Sequence, residues 1–537
     1  MIRRHVVQPD RYYDSVRLMA VSGQLEALPG VHRAAAMMGT AANRDLLRDA
    51  GLLDAEAAAA LQPSDLVIAV QADDDRAAEA ALATAERLLT AGERAAAPVE
   101  AAPRTIEAAR ERFPEANLAL ISVPGPYAHY EAKQALRQGL HVLLFSDNVP
   151  VEVEVSLKQL ARARGLLLMG PDCGTAYLGG IGLGFANVVR RGPIGVVAAS
   201  GTGLQAIASL VHNAGLGLSH GIGVGGRDLS DAVRGLATFM ALDALAADPS
   251  TAVIVIVSKP PGARTAAALY EHLPRLGKPV VTCLLGADPA GARAAGAYPA
   301  ATLEEAAALA VRLARAPAAK EPAPRAVEGL PADASVLAPE RATGARPAQV
   351  AFAPGQRWVR GLFSGGTLAS EAVWVLQSVL GPVYSNVEAD SARALPDPRQ
   401  SREHTVVDLG ADEFTRGRPH PMIDPRERLA RLQREAADPS VAVLLLDVVL
   451  GRGAHPDPAG ALAPTLREVQ ARARAAGRVL PVVAWVCGTE DDPQRLSDQQ
   501  AKLAAAGVLF CASNAAAART AAALAQQATT SRAGAQT

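Results

Sequence analysis

A chain of 537 residues is long enough for about three or four domains, and with half of its residues hydrophobic and a fifth charged it has ample material for buried cores. Its 53 Lys and Arg nearly cancel its 54 Asp and Glu, which removes any electrostatic case for nucleic acid or a membrane surface as partner. The four scattered cysteines, Cys173, Cys283, Cys487 and Cys511, form no C-x-x-C pair, so neither a disulfide framework nor a zinc site is expected and a reducing cytoplasm fits.

Residues 1–92 read as β-α-β-α-β-α. RHVVQP (4–9), VHRAAAMMG (31–39) and SDLVIAVQA (64–72) are strands, SVRLMAVSGQLEAL (15–28) is an amphipathic helix, and an alanine-rich helix runs to about Leu89. The alternation predicts a small α/β unit of ferredoxin-like type. Its start has basic residues but no apolar core leading to a cleavage site. TAGERAAAPVEAAP (90–103) reads as a linker. Between 104 and 192 the order is NLALISVPG, YAHYEAKQALRQG, HVLLFSD, VEVEVSLKQLARARG and LLLMGPDCG. Buried strands and helices joined by short Gly/Pro turns predict a parallel Rossmann-like sheet. No G-x-G-x-x-G stands at its first strand–helix turn, so the standard dinucleotide fingerprint is missing.

A third unit, 193–315, has strands IGVVAAS, LSHGIGVG, AVIVIVS and PVVTCLLG. The segment 316–355 is rich in Ala and Pro without sustained period and reads as an interdomain linker. The last unit, 356–527, runs WVRGLFSGG, TVVDLG, VAVLLLDVV, PVVAWVCG and VLFCAS, and 528–537 reads as a disordered tail. No apolar run approaches the ~20 residues of a bilayer span.

ADPSTAVIVIVS (247–258) and ADPSVAVLLLDV (437–448) spell one turn and one buried strand twice. Their neighbours agree in order: VVAASGTGLQAIASLV and GLFSGGTLASEAVWVL precede them, PVVTCLLGADP and PVVAWVCGTEDDP follow. A shared order of motifs with extra residues at loops marks duplication. The extra residues of the second copy fall around ALPDPRQSREHT (394–405) and RGRPHPMIDP (416–425). ADPS itself reads as a helix-ending turn, so its repetition is structural.

Chemistry is expected at the strand-to-helix turns. Ser200, Gly201, Thr202 and Gly203 in one copy, and Ser364, Gly365, Gly366 and Thr367 in the other, each end an apolar strand and open a helix. Small residues there let backbone N–H groups and the helix dipole cradle a phosphate or carboxylate; a tight packing turn is the bland alternative. In GGRDLS, Gly225 and Gly226 follow a strand and Arg227 can clamp an anion bidentately, or pair with Asp228 and merely hold the loop. Lys259 follows a buried strand at the edge where α/β sites form, and can be a substrate cation or a solvated end. Arg416, Arg418 and His420 lie in the loop added to the second copy, with a surface or partner-contacting loop as the alternative. Cys173 has no adjoining histidine and reads as a small buried turn residue. The histidines show no metal-ligand pattern, so no metal is expected.

GPDCG followed by GVVAASGTG is similar to the α-subunit of succinyl-CoA synthetase, with ISVPGPYA and FSDNVP placed like turns of its CoA-binding domain. More specifically, the chain resembles the FdrA family of acyl-CoA-synthetase-like proteins through MMGTAAN, FSDNV, MGPDCGT, FANV, ASGTG, GGRDLS, VSKPP, GGTLASEA, GRPHPMIDP, LLLDVVLG and GTEDDP, which together span most of it. The resemblance implies an α/β fold: the small N-terminal unit, a Rossmann-like CoA-binding-type domain, and two duplicated flavodoxin-like ligase-type domains. It departs from the synthetases in GADPAGARAAGAYPAATLEEA (286–306), which holds no histidine to carry a phosphoryl group, and no ATP-grasp domain or Walker A loop is recognisable.

What the FdrA resemblance implies is a subunit of an oxamate-type carbamoyltransferase, converting oxalurate and phosphate to oxamate and carbamoyl phosphate together with companion protein subunits, and requiring no cofactor. That chemistry needs two anion pockets and donors for the developing oxyanion. Under it Arg227 and His420 are the catalytic candidates, His420 as oxyanion donor or proton shuttle. The alternatives are an NDP-forming acyl-CoA synthetase or CoA-binding protein, which would bind CoA, and a noncatalytic scaffold subunit. An oligomer is compatible with all three.

Overall fold

The computed structural model describes residues 1–13, 15–91, 103–316, 350–388, 390–415 and 418–530. The chain divides into two units: Met1–Pro103 with Thr415–Pro419, and Arg104–Phe414 with His420–Thr537. Most of the expected linker, residues 317–349, and of the expected tail, 531–537, lies outside the described residues.

In the first unit Leu66–Ala72 (LVIAVQA) is apolar on both faces and therefore takes the middle of a three-stranded sheet, antiparallel to Ile2–Gln8 and Val31–Met38. Its period of two sorts the core. Ile68 and Val70 pack with Leu25, Ala81, Ala85 and Leu89 of the helices Ser15–Glu26 and Asp75–Ala91, and Val67 and Ala69 with Leu47 and Leu52 beyond the other face. The connection between the second and third strands is two short helices, Ala41–Asp49 and Ala55–Ala60. Each has its own cap: Thr40 Oγ1 accepts Asn43 N–H and Asp54 Oδ1 accepts Ala57 N–H.

The second unit holds three sheets. Leu118–Ile121, His141–Leu144 and Leu168–Met169 form a parallel three-stranded sheet flanked by Gly125–Arg137 and Val151–Ala163, half the strand count of a full doubly wound dinucleotide domain. The hairpin Thr175–Leu178/Ile181–Gly184 does not continue it. Tyr177 and Leu178 pair antiparallel with Gly221 and His220 of the next sheet, so that sheet starts at Thr175 and not after residue 192. Glycine at 221 permits the pairing, since a Cβ there would lie 2.8 Å from the Tyr177 ring.

The duplicated halves are plain in the strand order. Arg191–Ala198 sits between Leu218–Gly223 and Val253–Ser258, with Val280–Leu284 and Tyr298–Pro299 outside the latter; Trp358–Phe363 sits likewise between Thr405–Asp408 and Val441–Val449, with Val482–Cys487 and Val508–Cys511 outside. All these neighbours are parallel, and Val253–Ser258 and Val441–Val449 are buried along their whole length, as strands covered on both faces must be. The two ADPS turns are the same device. Asp248 Oδ1 accepts Ser250 N–H at 3.0 Å, and Asp438 Oδ1 accepts Ser440 N–H at 2.9 Å.

The helices Gly201–Asn213, Leu303–Arg315, Gly366–Leu380 and Asn514–Thr530 carry the buried residues Leu204, Leu309, Leu376 and Leu524 into one core shared by both large sheets. Val350 and Phe352, within the segment read as linker, pack against the same core. A polar seam adds to it: Asn187 Nδ2 donates to Leu450 O at 3.0 Å and Asp492 Oδ2 at 2.9 Å, and Asp492 Oδ1 accepts Val188 N–H at 2.6 Å. FANV and GTEDDP are therefore structural stitches between the halves.

Candidate active site

The two glycine turns meet. Ser200 caps the helix Gly201–Asn213 by accepting Gly203 N–H at 3.0 Å, and its hydroxyl is hydrogen bonded to Thr367 of the other half. A Cβ on Gly365 would stand 2.8 Å from Thr202 Cγ2, and one on Gly203 would stand 3.1 Å from Thr367 Cγ2. Gly365 is a glycine because the turns press on each other, whereas Gly203 is hemmed in first by Val257 of its own half, 2.9 Å from where a Cβ would be.

Their donors are used differently. Ser364 is 2% exposed, and its N–H donates to Asp447 Oδ1 at 2.9 Å while its hydroxyl lies 3.1 Å from the same carboxylate. Asp447 is in turn held by Arg428 at 2.8 Å. The Ser364 end of the expected cradle is thus taken by the protein's own carboxylate, because a helix N-terminus accepts a buried Asp as readily as a foreign anion. In the first copy the residue at the matching strand end is Ser258, which carries no charge. There Gly201 and Thr202 keep N–H groups with no hydrogen-bond partner among the described residues, and both are partly exposed.

A second carboxyl stands beside the second turn. Asp408 ends the strand Thr405–Asp408 and is 8% exposed. Its Oδ1 accepts Gly410 N–H at 2.9 Å, while its Oδ2 has no hydrogen-bond partner among the described residues and lies 2.8 Å from where a Cβ of Gly366 would be. Burial above all, with Asp447 and Glu413 adding, pushes its pKa up to about 7 against the pull of Lys259. Lys259 is exposed and stands two residues after Val257, whose carbonyl accepts Ala199 N–H at 2.9 Å; that bond sets the end of its strand beside the first turn.

His420 completes the group. Its Nδ1 accepts Met422 N–H at 3.2 Å, which leaves the proton on Nε2. Nε2 lies 2.5 Å from where a Cβ of Gly410 would be. Burial lowers its pKa to about 4, so at neutral pH it is a neutral N–H donor rather than an imidazolium. This favours the oxyanion-donor role over the acid role.

The remaining candidates are committed elsewhere. Arg227 Nη2 donates to Val149 O at 2.7 Å and pairs with Glu154 Oε2 at 3.0 Å. Its neighbour Asp228 caps the helix Leu236–Ala247 through Thr238 N–H at 2.9 Å, and also takes Lys158 Nζ at 2.7 Å. These bonds hold the loop, while the Arg227 side chain stays 46% exposed. Gly225, at φ +88°, allows it to pack on the GPDCG loop, where a Cβ would be 2.4 Å from Pro171 O. Gly226 lies beside Asp172, 3.9 Å from its Oδ2 measured from a built Cβ. Arg418 is exposed, and Arg416 lies outside the described residues. Burial raises the Cys173 thiol to about 12, which makes it inert as a nucleophile.

Asp408 was not among the expected site residues, although DLG (408–410) is one of the stretches that carry the family resemblance. Its signal was an acid ending a buried apolar strand two residues before a glycine, TVVDLG.

A succinyl-CoA ligase-like flavodoxin domain model matches residues 191–319, a CoA-ligase model matches 362–524, and the model of the AllF heavy metal-associated domain matches 1–104. The protein YahF of Escherichia coli (strain K12) is 42% identical over 95% of this chain and 96% of its own. The succinate–CoA ligase [ADP-forming] subunit alpha of Methanothermobacter thermautotrophicus is 29% identical over 33% of this chain, which spans 61% of that subunit. A solved dinucleotide-forming acetyl-coenzyme A synthetase of Ca. Korarchaeum cryptofilum aligns with 77% of this chain and 84% of its own at 16% identity and a TM-score of 0.31. The residues of 1–104 do not fit a heavy metal: the segment has no cysteine, and no cluster of three His, Cys, Asp or Glu able to hold an ion occurs among the described residues. No helix among the described residues is long and apolar enough to cross a membrane.

Proposed function

Since the chain belongs to the family of the Escherichia coli protein YahF and is built on succinyl-CoA-ligase-type domains, we propose that it is the FdrA-type subunit of a carbamoyltransferase. It would act with companion subunits in purine and allantoin breakdown, taking oxalurate and phosphate to oxamate and carbamoyl phosphate. One observation carries the reading: an AllF-type N-terminal domain precedes a ligase-type body whose loop 286–306 has no histidine to carry a phosphoryl group.

In this reaction a phosphate oxygen attacks the ureido carbonyl carbon, the bond from that carbon to the oxamate nitrogen breaks, and the proton that hydrogen phosphate loses ends on that nitrogen. No covalent nucleophile is needed, which suits an inert Cys173. Gly201 and Thr202 N–H groups with Lys259 would hold the phosphate, and His420 Nε2–H would donate to the oxyanion. Positioning supplies much of the rest.

The test follows carbamoyl phosphate, coupled to ATP formation through carbamate kinase, with oxalurate and phosphate supplied to the chain alone and with candidate companion subunits. Loss of about 10²–10³-fold in kcat on His420→Gln with the fold intact is the expected result. Silence in every combination, with tight CoA binding, would overturn it in favour of an NDP-forming acyl-CoA synthetase or a CoA-binding protein. Silence with no ligand bound would leave a scaffold subunit.

A further inference from the structure

The two turns descend from one ancestor but now have opposite polarity. The first offers unpartnered Gly201 and Thr202 N–H groups with Lys259 beside them. The second has spent its Ser364 N–H group on Asp447 and adds Asp408, more than nine-tenths buried, with Oδ2 unpartnered and directed at the Gly366 end of the turn. Contact of Gly365 with Thr202 keeps the halves adjacent. A side chain this buried whose outer oxygen has no protein donor is open to completion by a ligand or by water.

We infer that the cleft takes a ligand with an anionic group on the first turn and an amide or ureido NH2 on Asp408, so that carbamoyl compounds are recognised and their acetyl counterparts are not. The inference rests on the carbamoyl-transfer reading only for the class of ligand; the polarity is that of the residues. A carboxylate oxygen accepts an N–H and gains nothing from a methyl group of the same size. A site built to hydrogen-bond a group rejects the analogue lacking it far more strongly than an apolar pocket rejects a missing methylene.

Two stable phosphonates make the comparison. Phosphonoacetamide and acetonylphosphonate differ only in carrying NH2 or CH3 on the carbonyl, and each is titrated calorimetrically into the full chain at pH 8. The amide is expected to bind at least tenfold tighter. Asp408→Asn keeps an oxygen for Gly410 N–H and replaces Oδ2 by an NH2 group, so the ratio of affinities should fall to about one. The wild-type ratio should also grow between pH 6 and 8 as Asp408 ionises among Lys259, Asp447, Glu413 and His420, once each phosphonate's own second ionisation, measured separately, is divided out. Equal affinities in the wild type, an unchanged ratio in the variant, or no binding of either compound would each overturn the inference. A clear preference without carbamoyl phosphate formation in any subunit combination would sink the transfer reading alone, and turnover without preference would do the reverse.

Discussion

Glu371 provides a test of how the two halves are joined. It is fully buried on the helix Gly366–Leu380, where Oε1 accepts Leu303 N–H at 2.6 Å and Oε2 accepts Asn514 Nδ2 at 2.8 Å. Burial outweighs both bonds and pushes its pKa from 4.5 to about 7. A carboxyl raised on folding contributes stability that is complete below its unfolded pKa and is lost as pH rises through the folded one. The shift corresponds to about 3 kcal/mol lost between pH ~4.5 and pH ~7. Glu371→Gln removes the titration while keeping an oxygen for Leu303 N–H, and Asn514 can turn its unpartnered Oδ1 toward the new amide. Urea unfolding of both proteins at pH 5 and pH 8 isolates the residue, because the other raised carboxyls cancel in the difference. The variant should gain on the wild type by about 2–3 kcal/mol from the lower to the higher pH. A difference that stays constant across the range would refute the reasoning.

Other substitutions probe the same body. Gly365→Ala places a methyl group 2.8 Å from Thr202 Cγ2 and should cost about 1–3 kcal/mol by calorimetry, with part recovered when Thr202→Gly is added. Lys158→Met removes the ammonium 2.7 Å from both Glu154 and Asp228, leaving Asp228 a buried carboxylate without its cation while Glu154 keeps Arg227, and a loss of about 3–5 kcal/mol in urea unfolding is expected. Cys173, Cys283 and Cys487 are buried with thiols raised by desolvation, so a thiol reagent at pH 8 should modify at most Cys511 until urea unfolds the chain.

The fold was legible in the sequence wherever one pattern decided it. Strands such as Val253–Ser258 and Val441–Val449 are uniformly apolar because both their faces are covered, and the repeat of ADPS reflects an Asp side chain closing the same turn twice. The hairpin Thr175–Leu178/Ile181–Gly184 was not legible, since its place in the second sheet depends on Tyr177 meeting Gly221, a contact between residues far apart in the chain. The site divided along the same line. Glycine turns announce where backbone N–H groups gather, but whether those groups stay open depends on the residue at a neighbouring strand end. Ser258 in one copy and Asp447 in the other look alike as the last polar residue of an apolar run, and only the folded register shows that Asp447 reaches Ser364 and closes that turn. Duplication therefore does not imply two equal pockets. Once one copy admits a carboxylate at its turn, the pair becomes a donor facing an acceptor, and a symmetric dianion is a poorer fit than a ligand that is anionic at one end and an amide at the other.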